Sequence, residues 1–442
     1  MRRKPPLSMV VRCVPGLERI VQSELRALRV PSTLISAGTL LASGVTTRQL
    51  YASNALLRCA SRILVPAATF VARSFSDLEL AIKRIKRDDV LLPSMLIPGA
   101  RLKIRVKVAA GSPLFHSTAV AERLTRHLQT VSGSSEALDY VQDTPPGDQV
   151  EQRLDVHIHG ERVRIFVDSS GESLDNRGWR KDRAAKMPLK ESVAAGLLRS
   201  MGWGDACSDS PSQEGKEYAA LLDPFCGSGT IAIEAALLST GMPAHFLSGR
   251  SFALQLWPLF EPGTWGAVGG LMQRMADHAH ARRASIPYIL GSDRDAGAIA
   301  SARANALAAG VGDLVEFRQC SISDVEPPSL SPAADTQGLS SVGNQALTRG
   351  LMLSNPPWGV RSQKPASSLE DLEHLYRRIG QVHEKMRPNW DLALLVNDRR
   401  LSNQVSRRLS LALQVSIGGH RAKLMCGVER HNTDTGTRMR LA

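Results

Sequence analysis

No stretch of the 442 residues approaches the roughly 20 consecutive apolar residues that a membrane-spanning helix needs, so no membrane partner is expected. The six cysteines (Cys13, Cys59, Cys207, Cys226, Cys320 and Cys426) include no C-x-x-C pair. That argues against a zinc site, and their scatter is most simply explained by free thiols in a reducing compartment. The basic start Met1-Arg2-Arg3-Lys4-Pro5-Pro6 is followed by no apolar run, which argues against a secretory signal. A cytoplasmic location is expected, with a mitochondrial one left open. There is no internal repeat. Acidic residues are in deficit, 42 against 55 Lys and Arg, giving a net charge of +13. Such an excess favours a polyanionic partner such as RNA, although it also serves solubility.

What is present divides into alternating segments. Leu17, Ile20, Val21, Leu25 and Leu28 recur at helical spacing after the Pro15-Gly16 break, and Pro31 follows the helix. Strict alternation over 101–108 predicts a strand, with Leu102, Ile104, Val106 and Val108 on one face. Arg101, Lys103, Arg105 and Lys107 make a wholly cationic opposite face, either a solvated surface or a phosphate-contacting ridge. Lys83-Arg84-Ile85-Lys86-Arg87 adds charge nearby in sequence. Ser117 is placed to cap a helix, and 163–167 reads as a short strand. A basic connector around Arg177 and Arg180 leads into a helix over 189–201, and 208–215 reads as a polar loop. From residue 219 strands and helices alternate: strands at 219–223, 288–292, 314–318 and 351–354, helices at 230–238 and 298–309. This predicts a doubly wound α/β sheet. The Pro-, Ser- and Gly-rich stretch 326–349 reads as an insertion.

Between the first of these strands and its helix lies Asp223-Pro224-Phe225-Cys226-Gly227-Ser228-Gly229-Thr230. Gly227 and Gly229 allow close approach of a ligand, and the helix after them offers free N–H groups. The pattern also fits a loose dinucleotide fingerprint. A dehydrogenase, however, carries its ribose-binding acid about 20 residues on, and here the next strand ends far downstream at Asp293. A carboxylate at Asp223 would repel a pyrophosphate and suits an ammonium group. Asp293 is placed to accept from two ribose hydroxyls, so the pair points to an adenosyl amino acid.

Ser354-Asn355-Pro356-Pro357-Trp358-Gly359 follows the fourth strand, at the carboxyl edge where such sheets place ligands. The prolines fix the chain and remove two donors. The Asn355 side-chain oxygen and the Pro356 carbonyl can then accept both hydrogens of an amino group, weakening delocalisation of its lone pair into a ring. Trp358 offers a stacking face. Cys226 sits in the cofactor loop, where a small buried thiol is a better reading than a nucleophile. His116, His157 and His159 show no partner spacing.

At these residues the chain resembles the THUMP-domain RNA methyltransferases, notably the guanine-N2 methyltransferases of bacterial large-subunit ribosomal RNA and their tRNA-acting relatives. Pro15-Gly16-Leu17-Glu18 with Glu24-Leu25 looks like the amino-terminal ferredoxin-like domain. Leu114-Phe115-His116-Ser117 resembles the THUMP core. Ser170-Gly171-Glu172-Ser173-Leu174, Arg177-Gly178-Trp179-Arg180 and Pro188-Leu189-Lys190-Glu191 resemble the bridge into the catalytic domain. Phe252-Ala253 with Trp257 and Trp265 matches the family's insertion, and 372–380, with Leu375-Tyr376, the segment after the reacting motif.

The resemblance implies a Rossmann-like class I methyltransferase domain at 219–442, preceded by ferredoxin-like (1–64) and THUMP (65–170) domains and a linker with entry helix (171–218). It implies S-adenosylmethionine as donor, held by Asp223, Phe225, Gly227, Gly229, Thr230, Asp293 and Ser321. It also implies structured RNA, rRNA or tRNA, as substrate, with guanine N2 as acceptor at Asn355, Pro356, Pro357 and Trp358. Arg101, Lys103, Arg105, Lys107, Arg177 and Arg180 are the expected RNA contacts. One departure stands out: Ser321 occupies the position where the family usually carries an adenine-binding Asp, and Asp324 would serve only in a shifted register. The alternatives are an adenine-N6 methyltransferase, or an RNA-binding assembly factor with a degenerate methylase fold.

Overall fold

The protein is described by a computed structural model over residues 7–84, 92–98, 100–132, 151–180, 188–204, 218–327, 330, 349–358 and 369–427. The basic run from Ile85 on, connector residues 181–183, the loop at 208–215, most of 326–349 and Gly359 lie outside the described residues. The chain divides into two compact units. One holds Met1–Lys181, Lys190–Gly196 and Thr240–Arg282; the other holds Asp182–Leu189, Leu197–Ser239 and Arg283–Ala442.

The first unit opens with β1 (Leu7–Cys13), α1 (Glu18–Ala27), β2 (Thr33–Ser36), β3 (Thr39–Val45), α2 (Thr47–Leu56) and β4 (Ala60–Val71). This βαββαβ order, with the strands arranged β2-β3-β1-β4, is ferredoxin-like. Local sequence explains the helices. Gly16 takes φ 107° to turn out of β1, and Val21 and Leu25 of α1 are fully buried. Thr46 and Gln49 form a reciprocal capping box at the start of α2, which satisfies two N–H groups that the first turn leaves open.

The chain continues through α3 (Phe75–Lys83), α4 (Leu92–Met95), β5 (Arg101–Val108), α5 (Ser117–Ser132), β6 (Glu151–His159) and β7 (Arg162–Asp168). All seven strands form one sheet, β2-β3-β1-β4-β7-β6-β5. The expected boundary at 64/65 therefore falls inside β4. This 12-residue strand pairs with β1 through Ala60 to Leu64 and with β7 through Leu64 to Val71. β5 pairs in parallel with β6 and ends the sheet, and α5 packs on it.

After α6 (Glu191–Ser200), the second unit carries β8 (Ala220–Asp223) and α7 (Thr230–Thr240). The next helix, α8 (Pro262–Ala281), belongs with the first unit and packs on α2. Its 20 residues include Gly263, Gly266, Gly269 and Gly270. Each glycine costs about 1 kcal/mol of intrinsic helix propensity, so sequence gives little sign of it. Tertiary contacts hold it, among them Trp265 edge-on to Tyr51.

The second unit resumes with β9 (Tyr288–Asp293), α9 (Ala296–Ala308), β10 (Glu316–Gln319), β11 (Gly350–Ser354), α10 (Leu369–Met386), β12 (Trp390–Val396), α11 (Arg399–Val405), β13 (Ser410–Ile417) and β14 (His420–Gly427). The sheet order is β10-β9-β8-β11-β12-β14-β13, parallel except at β14 and β13. Strands β8 to β11 carry the predicted α/β alternation. A core of Met352, Leu392, Leu394 and Val396 lies with Tyr376 and Ile379 of α10 and Leu401 of α11. Strand order reverses between β8 and β11, so the carboxyl ends of these two strands flank the topological switch point, where open α/β sheets bind ligands.

Candidate active site at the switch point

Asp223 closes β8 and Ser354 closes β11. Both are buried, and the Ser354 hydroxyl donates to Asp223 Oδ1 across the switch point. The Phe225 N–H donates to the same oxygen at 3.3 Å. Among the described residues no Lys, Arg or His pairs with Asp223. Burial raises its carboxyl pKa to about 7, against the lowering effect of the Ser354 and Phe225 bonds; the Asp293 charge adds to the rise. A buried acid held this way matches a ligand that brings its own cation.

Two glycines shape the loop differently. Gly229, at φ 84°, has no room for a side chain, since a Cβ there would lie 3.0 Å from Phe317 and 3.1 Å from Ala302. Gly227, at φ 52°, has nothing within 4 Å of a Cβ and leaves the backbone open to a ligand. Asn305 of α9 donates to the Ser228 carbonyl at 3.1 Å and ties the loop to its neighbour helix. Asp293, expected at a ribose, also fixes the loop. Its Oδ2 accepts from Gly227 N–H at 3.1 Å and its Oδ1 from Asp295 N–H at 3.0 Å. Each oxygen keeps a further lone pair for a hydroxyl. Phe225 is partly buried against the core under α10, and Thr230 begins α7. Cys226 is buried, with its thiol pKa pushed well up by burial, which leaves it a packed thiol rather than a nucleophile.

Ser321 is not alone at the end of β10. Its hydroxyl lies 2.7 Å from Asp324 Oδ2, and the Asp324 N–H donates to the Ser321 carbonyl at 3.0 Å. A one-turn loop therefore brings a carboxylate beside the serine that the resemblance sets at this position.

In the reacting loop, Asn355 Oδ1 is a buried acceptor with no hydrogen-bond partner among the described residues. Trp358 departs from the sequence expectation. Its ring is only 8% exposed, and its Nε1 donates to the Leu395 carbonyl at 2.9 Å, so it anchors the loop to β12 instead of presenting a face for stacking. Pro356 is buried and Pro357 exposed. Tyr376 of α10, given no role by its residue type alone, donates to the Pro357 carbonyl at 3.2 Å.

The expected RNA contacts separate. Lys103, Arg105 and Lys107 are exposed on β5 and Arg101 is half-buried, as the alternation requires. Lys103 pairs with Glu151 at 3.6 Å. Lys107 stands in register with His157, and His157 with Arg164, making a basic row across β5, β6 and β7. An open groove of about 660 Å³ is lined there by Lys107, His157, Arg162 and Arg164. Burial, with Arg12 and Lys107 beside it, lowers the His157 pKa to about 4, so the ring is neutral and accepts from Arg12 at 2.9 Å.

Arg177 and Arg180 have other work. Arg177 is 2% exposed and bonds the carbonyls of Leu174 and Arg58, while Arg180 pairs with Glu191 at 3.1 Å. Both hold the connector internally, Arg177 by satisfying two carbonyls at once and Arg180 through its ion pair. Arg250, which the sequence did not single out, does the same for the carbonyls of Ser170, Glu172, Ser173 and Asn176. All five described cysteines are free thiols, and no described helix is long and apolar enough to cross a membrane.

Comparison with known proteins agrees with the fold. The family model described as "RMKL-like, methyltransferase domain" matches residues 177–423. The chain belongs to this RMKL-like methyltransferase family. Residues 8–64 match the RlmL ferredoxin-like domain, in keeping with the strand order above. Ribosomal RNA large subunit methyltransferase K/L of Marinomonas sp. (strain MWYL1) is 27% identical over 421 residues, covering 93% of this chain and 51% of that protein. The protein of the same name from Syntrophotalea carbinolica is 26% identical over 426 residues, covering 95% and 53%. The chain thus spans about half the length of the curated relatives it matches. A possible methylase from Clostridium difficile 630 shares the fold, with a TM-score of 0.72 and 24% identity over 97% of this chain and all of that one.

Proposed function

We propose that the chain transfers a methyl group from S-adenosylmethionine to the exocyclic N2 of a guanine in structured RNA, ribosomal RNA in the first place. The observation that carries this is the pairing of two unmet needs at the switch point: the buried Asp223 lacks a cation among the described residues, and the buried Asn355 Oδ1 lacks a donor. The first fits the ammonium of an adenosyl amino acid, the second an amino group.

Asp223 would hold that ammonium. Asp293 would accept from the ribose hydroxyls with the lone pairs left after it has fixed Gly227, and Asp324 beside Ser321 would accept from the adenine amino group. When bound, the cofactor supplies an electrophilic methyl on a sulfonium sulfur. Asn355 Oδ1 and the Pro356 carbonyl accept the two amino hydrogens, keep the nitrogen lone pair out of ring conjugation and aim it. The Tyr376 bond and the Trp358 anchor keep those carbonyls in place. Methyl transfer would form the N–C bond as the C–S bond breaks, leaving the sulfur as a neutral thioether, and the amino proton would pass to solvent once the nitrogen is positive. No strong base is needed, and positioning supplies most of the catalysis.

We assign RNA gripping to residues 65–170, read as a THUMP domain, through the basic row on β5 to β7. The relatives named for ribosomal RNA and the +13 charge support this reading. The test is mass spectrometry of rRNA and tRNA nucleosides from cells with and without the gene, with complementation by Asn355→Ala. N2-methylguanosine should fall at a defined position and stay low with the variant. An unchanged N2-methylguanosine level, or loss of N6-methyladenosine instead, would overturn the assignment.

A further inference from the structure

Asn397 is the first residue beyond β12, as Asn355 is the first beyond β11, and the two strands are parallel neighbours with Ser354 in register with Leu394. Asn397 Oδ1 is buried and, like Asn355 Oδ1, finds no hydrogen-bond partner among the described residues. Continued one residue past each strand, the alternation that sends Met352, Leu392, Leu394 and Val396 into the core under α10 would carry Asn355 and Asn397 to one common side of the pair. Ideal strand spacing of about 4.8 Å with a two-residue stagger would set their Cα atoms roughly 8 Å apart. Both side chains can then reach adjacent atoms of one base edge. Buried carbonyl oxygens without donors are costly and uncommon in folded proteins, so a pair at adjacent strand ends calls for a ligand with two adjacent donors.

Guanine has such an edge: the N2 amino group lies beside the ring N1–H. Adenine presents an amino group beside a bare N1 lone pair, which would face the second oxygen acceptor to acceptor. We infer that Asn397 is a specificity-determining residue that accepts the N1–H of the guanine whose amino group Asn355 holds. The inference rests on the guanine-N2 reading above and adds how the site rejects adenine. A site built around a substrate N–H discriminates strongly against a base that lacks it, because its own acceptor is left unpaired. The neighbouring Asp398 is otherwise engaged, with its Oδ1 accepting from Arg400 N–H at 2.8 Å.

The test uses the full chain, protein-free large-subunit ribosomal RNA and S-adenosylmethionine. Wild type, Asn397→Ala and Asn397→Asp are compared for kcat/KM, for cofactor Kd by calorimetry and for methylated nucleosides by mass spectrometry. Asn397→Ala should lower kcat/KM for N2-methylguanosine about 10- to 100-fold, with cofactor Kd within about twofold. Asn397→Asp should recover much of the loss, since a carboxylate also accepts from N1–H. Full activity in Asn397→Ala, equal losses in both variants, or a parallel loss of cofactor affinity would overturn the inference while leaving the guanine-N2 reading intact. A wild-type protein that makes N6-methyladenosine, or no methylated base, would overturn both.

Discussion

Tyr376 reaches from α10 to donate its hydroxyl to the Pro357 carbonyl across 3.2 Å. The bond joins a helix of the main core to the exposed half of the reacting loop. Removing the hydroxyl leaves the ring packed and frees the loop. Tyr376→Phe should therefore lower kcat about tenfold, leave cofactor Kd unchanged and cost about 1 kcal/mol of stability. Single-turnover kinetics with a thermal melt checks this; an unchanged kcat would show that the bond does not position the loop.

The two loop glycines should fail in different ways. Gly229→Ala drives a Cβ against Phe317 and Ala302 at a backbone angle that disfavours side chains, so it should lower the melting temperature by several degrees. Gly227→Ala meets open space. It should cost about 1 kcal/mol for its φ while weakening S-adenosylmethionine binding at least tenfold. Melting and calorimetry on the pair separate folding from binding, and equal behaviour would contradict the geometry.

The proposed ammonium role of Asp223 predicts that cofactor binding depends on pH. Its carboxyl pKa rises from an ordinary 3.8 to about 7 in the folded protein, chiefly through burial. Between those values the folded chain keeps a proton that the unfolded chain has lost, so this residue's contribution to stability declines as pH rises through the window. Cofactor affinity should run the other way, because an ammonium group needs the ionised carboxylate. Calorimetry at about pH 6 and about pH 8 should show tighter binding at the higher pH, and Asp223→Asn should bind weakly at both. A pH-independent Kd in the wild-type protein would remove the ammonium role from Asp223.

On β5, Lys103 is partly neutralised by Glu151, whereas Lys107 stands in the row with His157 and Arg164. Lys107→Glu with Arg164→Glu should weaken RNA binding more than Lys103→Glu does, and should reduce the slope of log Kd against log salt by about 2. Filter binding over a salt series measures both. Equal effects at the two sites would make the row an ordinary solvated surface.

Arg250 should matter for folding rather than for RNA. It donates to four backbone carbonyls of the 170–176 segment. Arg250→Ala leaves those acceptors unpaired and should destabilise the protein by about 2 to 3 kcal/mol. A denaturant titration measures the loss.

The sequence by itself determined the parts whose signals are local. Period-two alternation marked β5, the strand–glycine–helix order marked the loop after β8, and two prolines after a buried strand marked the reacting motif, each a property of neighbouring residues. Only the tertiary structure decided which groups are still unsatisfied once the chain has packed. Trp358, read as a stacking face, turned inward because its N–H found the Leu395 carbonyl on β12. Arg177 and Arg180, read as RNA contacts, were drawn into the connector by buried carbonyls and Glu191. Glycine-rich α8 formed despite weak propensity because it packs on α2. Asp223 and Asn355 could be named from the sequence. That Asp223 meets no cation and Asn355 Oδ1 no donor among the described residues is a matter of burial and packing, which no local pattern records, and on it rests the reading of what the site binds.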